Sequence, residues 1–185
     1  TLAILGYGVQ AESHLTAMAK VRKLREVRVW GPKLERAEAF AAQHDVGVPI
    51  HAVRGAEEAV RGGDLICAVS ASQEPIIEAA WVSPGAHINL VGAHAPTQRE
   101  ASGALMGRGR VFTEITAFAL EEAGDILLAR DEGALSADDL TEIGAVLGGD
   151  APGRRSEQEI TIYKSLGNTA QDLAAARVVH EIGRA

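Results

Sequence analysis

Apolar residues recur along this chain in two alternating rhythms. Short, nearly unbroken apolar runs fall at 2–5 and 65–69, and a more mixed run at 87–91. Between such runs the apolar positions return every three or four residues, as in Val9, Leu15, Met18 and Ala19. The first rhythm predicts buried strands and the second predicts amphipathic helices. Strands are predicted over 2–5, 26–30, 46–51, 65–69, 87–91, 110–113 and 159–163. Helices are predicted over 9–23, 34–43, 55–61, 100–106 and 168–182. Another starts at 118–122 and is broken by Gly124-Asp125. One more lies within 135–148, with Ser136 as N-cap and Asp139 in the capping-box region.

Strands alternating with helices imply an α/β fold with a doubly wound, mostly parallel, Rossmann-type sheet. Ligands on such sheets bind beyond the carboxyl ends of the strands, at the topological switch point. The tips at 6–10, 31–33, 70–72 and 92–94 are therefore the leading candidates for a site. Residues 148–156, rich in glycine and holding Pro152, read as a linker. They divide the chain into a nucleotide-binding domain, 1–150, and a C-terminal strand and helix, 151–185. Leu173, Ala176, Val179 and Ile182 form an apolar stripe on that helix, suited to another domain or another chain.

Composition narrows the classes. Hydrophobic residues make up 46% of the chain, ample for a core, but aromatics only 4%, so aliphatic side chains must fill it. The net charge is −7 with no lysine- or arginine-rich block, which argues against nucleic acid or an anionic membrane as partner. No apolar stretch approaches the roughly 20 residues that cross a bilayer. The single cysteine, Cys67, lies in an apolar run and reads as a small core residue, in keeping with a reducing cytoplasm. No His or Cys spacing suggests a metal.

The chemistry is concentrated at the strand tips. Gly6-Tyr7-Gly8-Val9-Gln10-Ala11 is G-x-G-x-x-A placed directly after a strand and opening a helix. The first glycine makes a tight turn, the second lets a pyrophosphate approach, and the small third residue lets the helix pack closely. Backbone N–H groups near Val9 and Gln10 would hold the pyrophosphate. After the second strand an NAD site usually carries an acid; here stand Trp30, Gly31, Pro32 and Lys33. Lys33 and Arg36 are the nearest charges and suit a 2′-phosphate, favouring NADP while NAD stays open. Val69, Ser70 and Ala71, with Val91 and Gly92, complete the expected cofactor contacts. His94 follows a strand tip, either as a proton donor near the nicotinamide or as a loop histidine without a chemical role. Lys164 to Gly167 form a turn that touches the nicotinamide or serves structure alone.

Several stretches in fixed order carry a resemblance. They include Gly6 to His14, Val27 to Trp30, Ala37 to Ala41, Glu74-Pro75-Ile76, Trp81 to Asn89, Val91-Gly92, Pro96 with Arg99-Glu100, Ala119-Leu120 with Glu122 to Asp125, Ile143-Gly144, and Ile160 to Gly167. Together they resemble the ornithine cyclodeaminase/mu-crystallin family over nearly the whole chain. The resemblance implies an NAD(P)-dependent enzyme acting at a C=N bond beside a carboxylate. The substrate would be a small imino or amino acid and the assembly a homodimer. Members reduce cyclic ketimines such as Δ1-pyrroline-2-carboxylate, oxidise alanine or cyclise ornithine, and mu-crystallin also binds thyroid hormone. An N-terminal domain that grips the substrate carboxylate would lie outside these residues, leaving them inactive alone. The resemblance also places Lys164, Ser165, Leu166 and Gly167 beside the nicotinamide. Ornithine cyclodeaminases carry an aspartate where His94 stands, so ketimine reduction is expected rather than cyclodeamination.

Overall fold

The run Leu2–Leu5 is buried at all four residues, as a strand covered on both faces must be. Its alternating side chains feed two separate cores. Leu2 and Ile4 pack with the helices over Val9–Val21 (α1) and Leu34–Gln43 (α2) on one face, while Ala3 and Leu5 face the other. The computed structural model describes residues 1–184. Among these, eight strands form one sheet: β1 (Leu2–Leu5), β2 (Val27–Trp30), β3 (Ile50–Ala52), β4 (Leu65–Ala68), β5 (His87–Leu90), β6 (Arg110–Thr113), β7 (Leu140–Glu142) and β8 (Thr161–Lys164). Their order is β3-β2-β1-β4-β5-β8-β6-β7, and every pair is parallel. The order turns back between β1 and β4, which places the crevice of a doubly wound sheet above their carboxyl ends.

The second core is the larger. It takes Ala59 and Val60 from α3 (Ala56–Val60), and Leu105 and Met106 from α4 (Gly103–Met106). It also takes Ala119 from α5 (Thr116–Glu122), and Ile126 and Ala129 from α6 (Gly124–Asp131). Two further helices, α7 (Ile143–Gly148) and α8 (Thr169–Ile182), complete the described chain. None of the helices is long and apolar enough to cross a membrane.

Four expectations need correction. The third strand starts at Ile50, not at residue 46. Asp45 Oδ1 accepts the Gly47 N–H at 2.8 Å, and Gly47 has φ +79°, so 45–47 is a turn. The helix expected within 135–148 is split by β7, an edge strand pairing with β6. The capping signal of Ser136 and Asp139 is real, with Ser136 N–H donating to Asp139 Oδ2 at 2.8 Å, but it heads only a single 3-10 turn. Gly124-Asp125 opens helix α6 rather than only breaking a helix. Finally, the boundary at residue 150 does not separate the sheet, because β8 lies between β5 and β6.

Cys67 is fully buried, and burial pushes its thiol up to about 11. It is expected to resist an aromatic disulfide reagent at pH 8 in the native protein and to titrate as one thiol per chain in denaturant. Rapid native reaction would contradict this packing.

Candidate functional site

The turn after β1 is built by two glycines with different duties. Gly6 has φ +140°, and a Cβ on it would lie 2.8 Å from the Val69 carbonyl oxygen. It is there so that β1 and the end of β4 can approach. Gly8 is ordinary extended backbone, φ −96° and ψ −168°, and a Cβ on it would meet nothing within 4 Å. It caps α1 with no side-chain hydrogen bond, and Val9 beside it is 79% exposed. An open, uncapped helix start of this kind fits an anion such as pyrophosphate.

Two hollows flank this turn. One, of about 300 Å³, is lined by Gln10, Val91, His94, Ser165, Leu166 and Gly167, with His14, Asn89, Tyr163 and Gln171. It brings together six of the residues singled out from sequence, from three separate tips. The other, of about 380 Å³, is lined by Tyr7, Gly8, Val9, Glu12, Arg36 and residues of α2. A dinucleotide has two ends, and the hollows lie on either side of the turn that would hold its middle. A larger hollow of about 540 Å³ reaches the amino ends of β4, β5 and β8 through Leu65, His87 and Thr161. It lies away from the glycine turn and the tips, so we attach no cofactor to it.

The remaining candidates are placed differently. Gly31 is buried, and a Cβ on it would lie 2.2 Å from the Tyr7 ring. Pro32 and Lys33 are exposed at the start of α2, outside the second hollow. Val69 and Ser70 are half-buried, and Ala71 is exposed. Ser70 and Gly92 are joined by a carboxylate: Glu100 accepts the Ser70 N–H and hydroxyl and the Gly92 N–H, each at 2.7 Å. Burial pushes the Glu100 carboxyl up, against these hydrogen bonds. Lys164 is fully buried and does not reach the cleft as part of the tip.

Sequence reasoning missed Glu100 and also Glu114. The Glu114 carboxylate accepts the Ser165 hydroxyl at 2.7 Å and the Leu166 and Gly167 N–H groups at 3.2 and 3.1 Å. Burial alone would raise its value, but these hydrogen bonds outweigh burial and hold it below the usual range. Burial and the Glu114 charge push Tyr163 up to about 12. Glu12 was missed as well. It brings an acid to the β2 side of the turn from α1 rather than from β2, 3.9 Å from His44. Such partners are set by packing, and no local spacing announces them. Among the described residues no group of three or more His, Cys, Asp or Glu is placed to hold a metal.

Comparison with known proteins gives this geometry a context. The chain is 40% identical to the mouse (Mus musculus) ketimine reductase mu-crystallin over 182 residues, covering 97% of the chain and 54% of the relative. Its fold matches Thermococcus litoralis Δ1-pyrroline-2-carboxylate reductase, solved with NADH and L-proline, with a TM-score of 0.93 and 28% identity. That match covers 97% of this chain and 57% of the other. An archaeal alanine dehydrogenase dimer with bound NAD matches with a TM-score of 0.90 and 32% identity, over 97% of this chain and 56% of the other. The chain thus spans little more than half the length of these relatives. The model of the ornithine cyclodeaminase/mu-crystallin family matches residues 1–185, and the chain belongs to that family.

Proposed function

We propose that the protein reduces a cyclic ketimine carboxylate, of the Δ1-pyrroline-2-carboxylate kind, with a reduced nicotinamide dinucleotide. The observation that carries this reading is the 300 Å³ cleft, where His94 meets the tip of Ser165, Leu166 and Gly167 beside the glycine turn. Backbone N–H groups at Gly8, Val9 and Gln10 bind the pyrophosphate, aided by the α1 dipole. Val91, Leu166 and Gly167 orient the nicotinamide and keep water from its face. His94 holds a proton for the substrate nitrogen, since a protonated C=N carbon accepts hydride readily. When bound, the cofactor supplies that hydride.

NADP is the proposed cofactor, because Arg36 lines the hollow on the β2 side. A charge-assisted hydrogen bond to phosphate contributes about 1.5–3 kcal/mol. Arg36→Ala is therefore expected to weaken NADPH about tenfold or more, and NADH by less than about threefold. Calorimetric titration checks this. Equal losses, or a wild-type preference for NADH, would assign the hollow to ribose hydroxyls and Glu12 instead.

We also propose that α8 packs against parts of the protein outside these residues. Its Leu173, Val179 and Ile182 are 72%, 70% and 70% exposed. The family relatives are nearly twice as long as this chain, which leaves ample sequence for a surface to receive that stripe. The complete protein is then a homodimer with its substrate-carboxylate site in that other part. The 185-residue piece is expected to bind nucleotide without turning over imine.

The test supplies the complete protein with Δ1-pyrroline-2-carboxylate and NADPH, and separately with L-alanine and NAD. Proline formation in the first arm supports the proposal. Activity in the alanine arm alone would make it an amino acid dehydrogenase. Nucleotide binding with neither activity would leave a small-ligand binder.

A further inference from the structure

Lys164 ends β8 with its whole side chain buried. A buried ammonium is costly unless paired and hydrogen-bonded. Its Nζ donates to the Ala93 carbonyl at 2.6 Å and lies 3.2 Å from Asp125 Oδ2. The other Asp125 oxygen accepts the N–H groups of Glu100 and Ala101 at 2.7 and 3.0 Å. Glu100, also fully buried, reaches back to Ser70 and Gly92. One cation and two carboxylates therefore bind four backbone N–H groups, a carbonyl and a hydroxyl.

Apolar side chains of similar volume would often stabilise a fold as well as buried charges do. What charges add here is direction. All the bound groups lie in the segments that follow β4, which borders the crevice, and β5, its neighbour. Segment 92–101 is pinned at its near end through Gly92 and Ala93, and at its far end through Glu100 and Ala101. The span between them carries His94. It is also backed by Gly124, where a Cβ would lie 1.9 Å from the Gln98 oxygen and 2.5 Å from the Ala95 oxygen. Gly92 has no room either, since a Cβ there would lie 1.7 Å from the Ser70 oxygen. The loop is thus held from both ends and from behind, with His94 on the lining of the cleft.

We infer that Glu100, Asp125 and Lys164 are a positioning unit, which sets the loop bearing His94, and Ser70 beside it, against the nicotinamide end of the dinucleotide. None of the three lines either hollow beside the glycine turn. The inference rests on the reading of the 300 Å³ cleft given above. The two ends divide the work. Glu100 orients Ser70 and Gly92, at the tips that follow β4 and β5. Lys164 and Asp125 orient the peptide that precedes His94.

The experiment uses the complete protein with NADPH and Δ1-pyrroline-2-carboxylate. Lys164→Met/Asp125→Asn removes both charges together, so neither is left alone. It is expected to lower kcat about tenfold or more while the NADPH Kd stays within about threefold. Amide exchange over 92–99, with NADPH bound, is expected to rise about tenfold. Glu100→Gln puts an amide donor against one of two facing N–H groups and is expected to weaken NADPH about tenfold. Ile66→Val, an ordinary core change, is expected to leave all these readouts alone. Unchanged exchange over 92–99 in the double variant, or a loosened loop with unchanged kcat, overturns the inference. So does an unchanged NADPH affinity in Glu100→Gln, which also decides the matter if the double variant fails to fold. If the wild type binds NADPH but reduces no imine, the proposed reaction fails instead. Exchange and affinity then judge the positioning unit without it.

Discussion

Gly8→Asp is expected to abolish nucleotide binding while leaving the fold standing. The backbone at Gly8 suits any residue, and the space around its missing side chain is open. An aspartate there would cap α1, because it accepts N–H groups that lack a side-chain partner now. Stability is expected to stay level or to rise slightly. The same carboxylate would occupy and charge the place proposed for the pyrophosphate. Repulsion and lost N–H donors together are expected to weaken NADPH by at least ~100-fold, about 2.7 kcal/mol. Fluorescence titration gives the affinity, and thermal unfolding gives the stability. Retained binding would remove the glycine turn from the site. Gly6→Ala is the contrasting case, since φ +140° and the Val69 oxygen leave no place for its methyl. That variant is expected to lose binding only because it loses stability.

Lys164→Met alone is expected to destabilise the protein by about 3–5 kcal/mol, because it leaves the Asp125 carboxylate buried beside a methyl group. In a domain of this size that corresponds to a fall of roughly 6–20 °C in Tm. Adding Asp125→Asn is expected to recover most of the loss, since the surviving amide oxygen still accepts the N–H groups of Glu100 and Ala101. Thermal unfolding of the two variants checks both statements. A single variant within about 1 kcal/mol of wild type would mean that the pair is not desolvated as described.

The architecture was legible because burial on two faces leaves a plain mark. Leu2–Leu5 and Leu65–Ala68 are almost wholly apolar, and α2 lies over the residues that its period predicts, with Ala37 and Phe40 buried. What escaped was short or edge structure. The three residues of β7, Leu-Thr-Glu, have no internal period, so the capping signal upstream extended a helix across them. Gly124 reads as a breaker, yet its purpose is close approach to the 95–98 backbone. The site divides in the same way. Gly6, Gly8 and Gln10 lie within one five-residue stretch and announce themselves. Glu100 acts on Ser70, 30 residues away, and Lys164 acts on Ala93, 71 residues away. Such pairs exist only after the sheet has formed. The absence of an acid at Gly31 was visible, but its reason was not: the Tyr7 ring already fills that space.

The proposed role of this turn and this cleft is the reduction of a C=N bond. It is tested most directly by giving the complete protein Δ1-pyrroline-2-carboxylate and NADPH and measuring nucleotide and product together. One L-proline is expected for each NADPH consumed, with both rates falling together in His94→Ala. NADPH that binds without being consumed, or is consumed without proline, would contradict it.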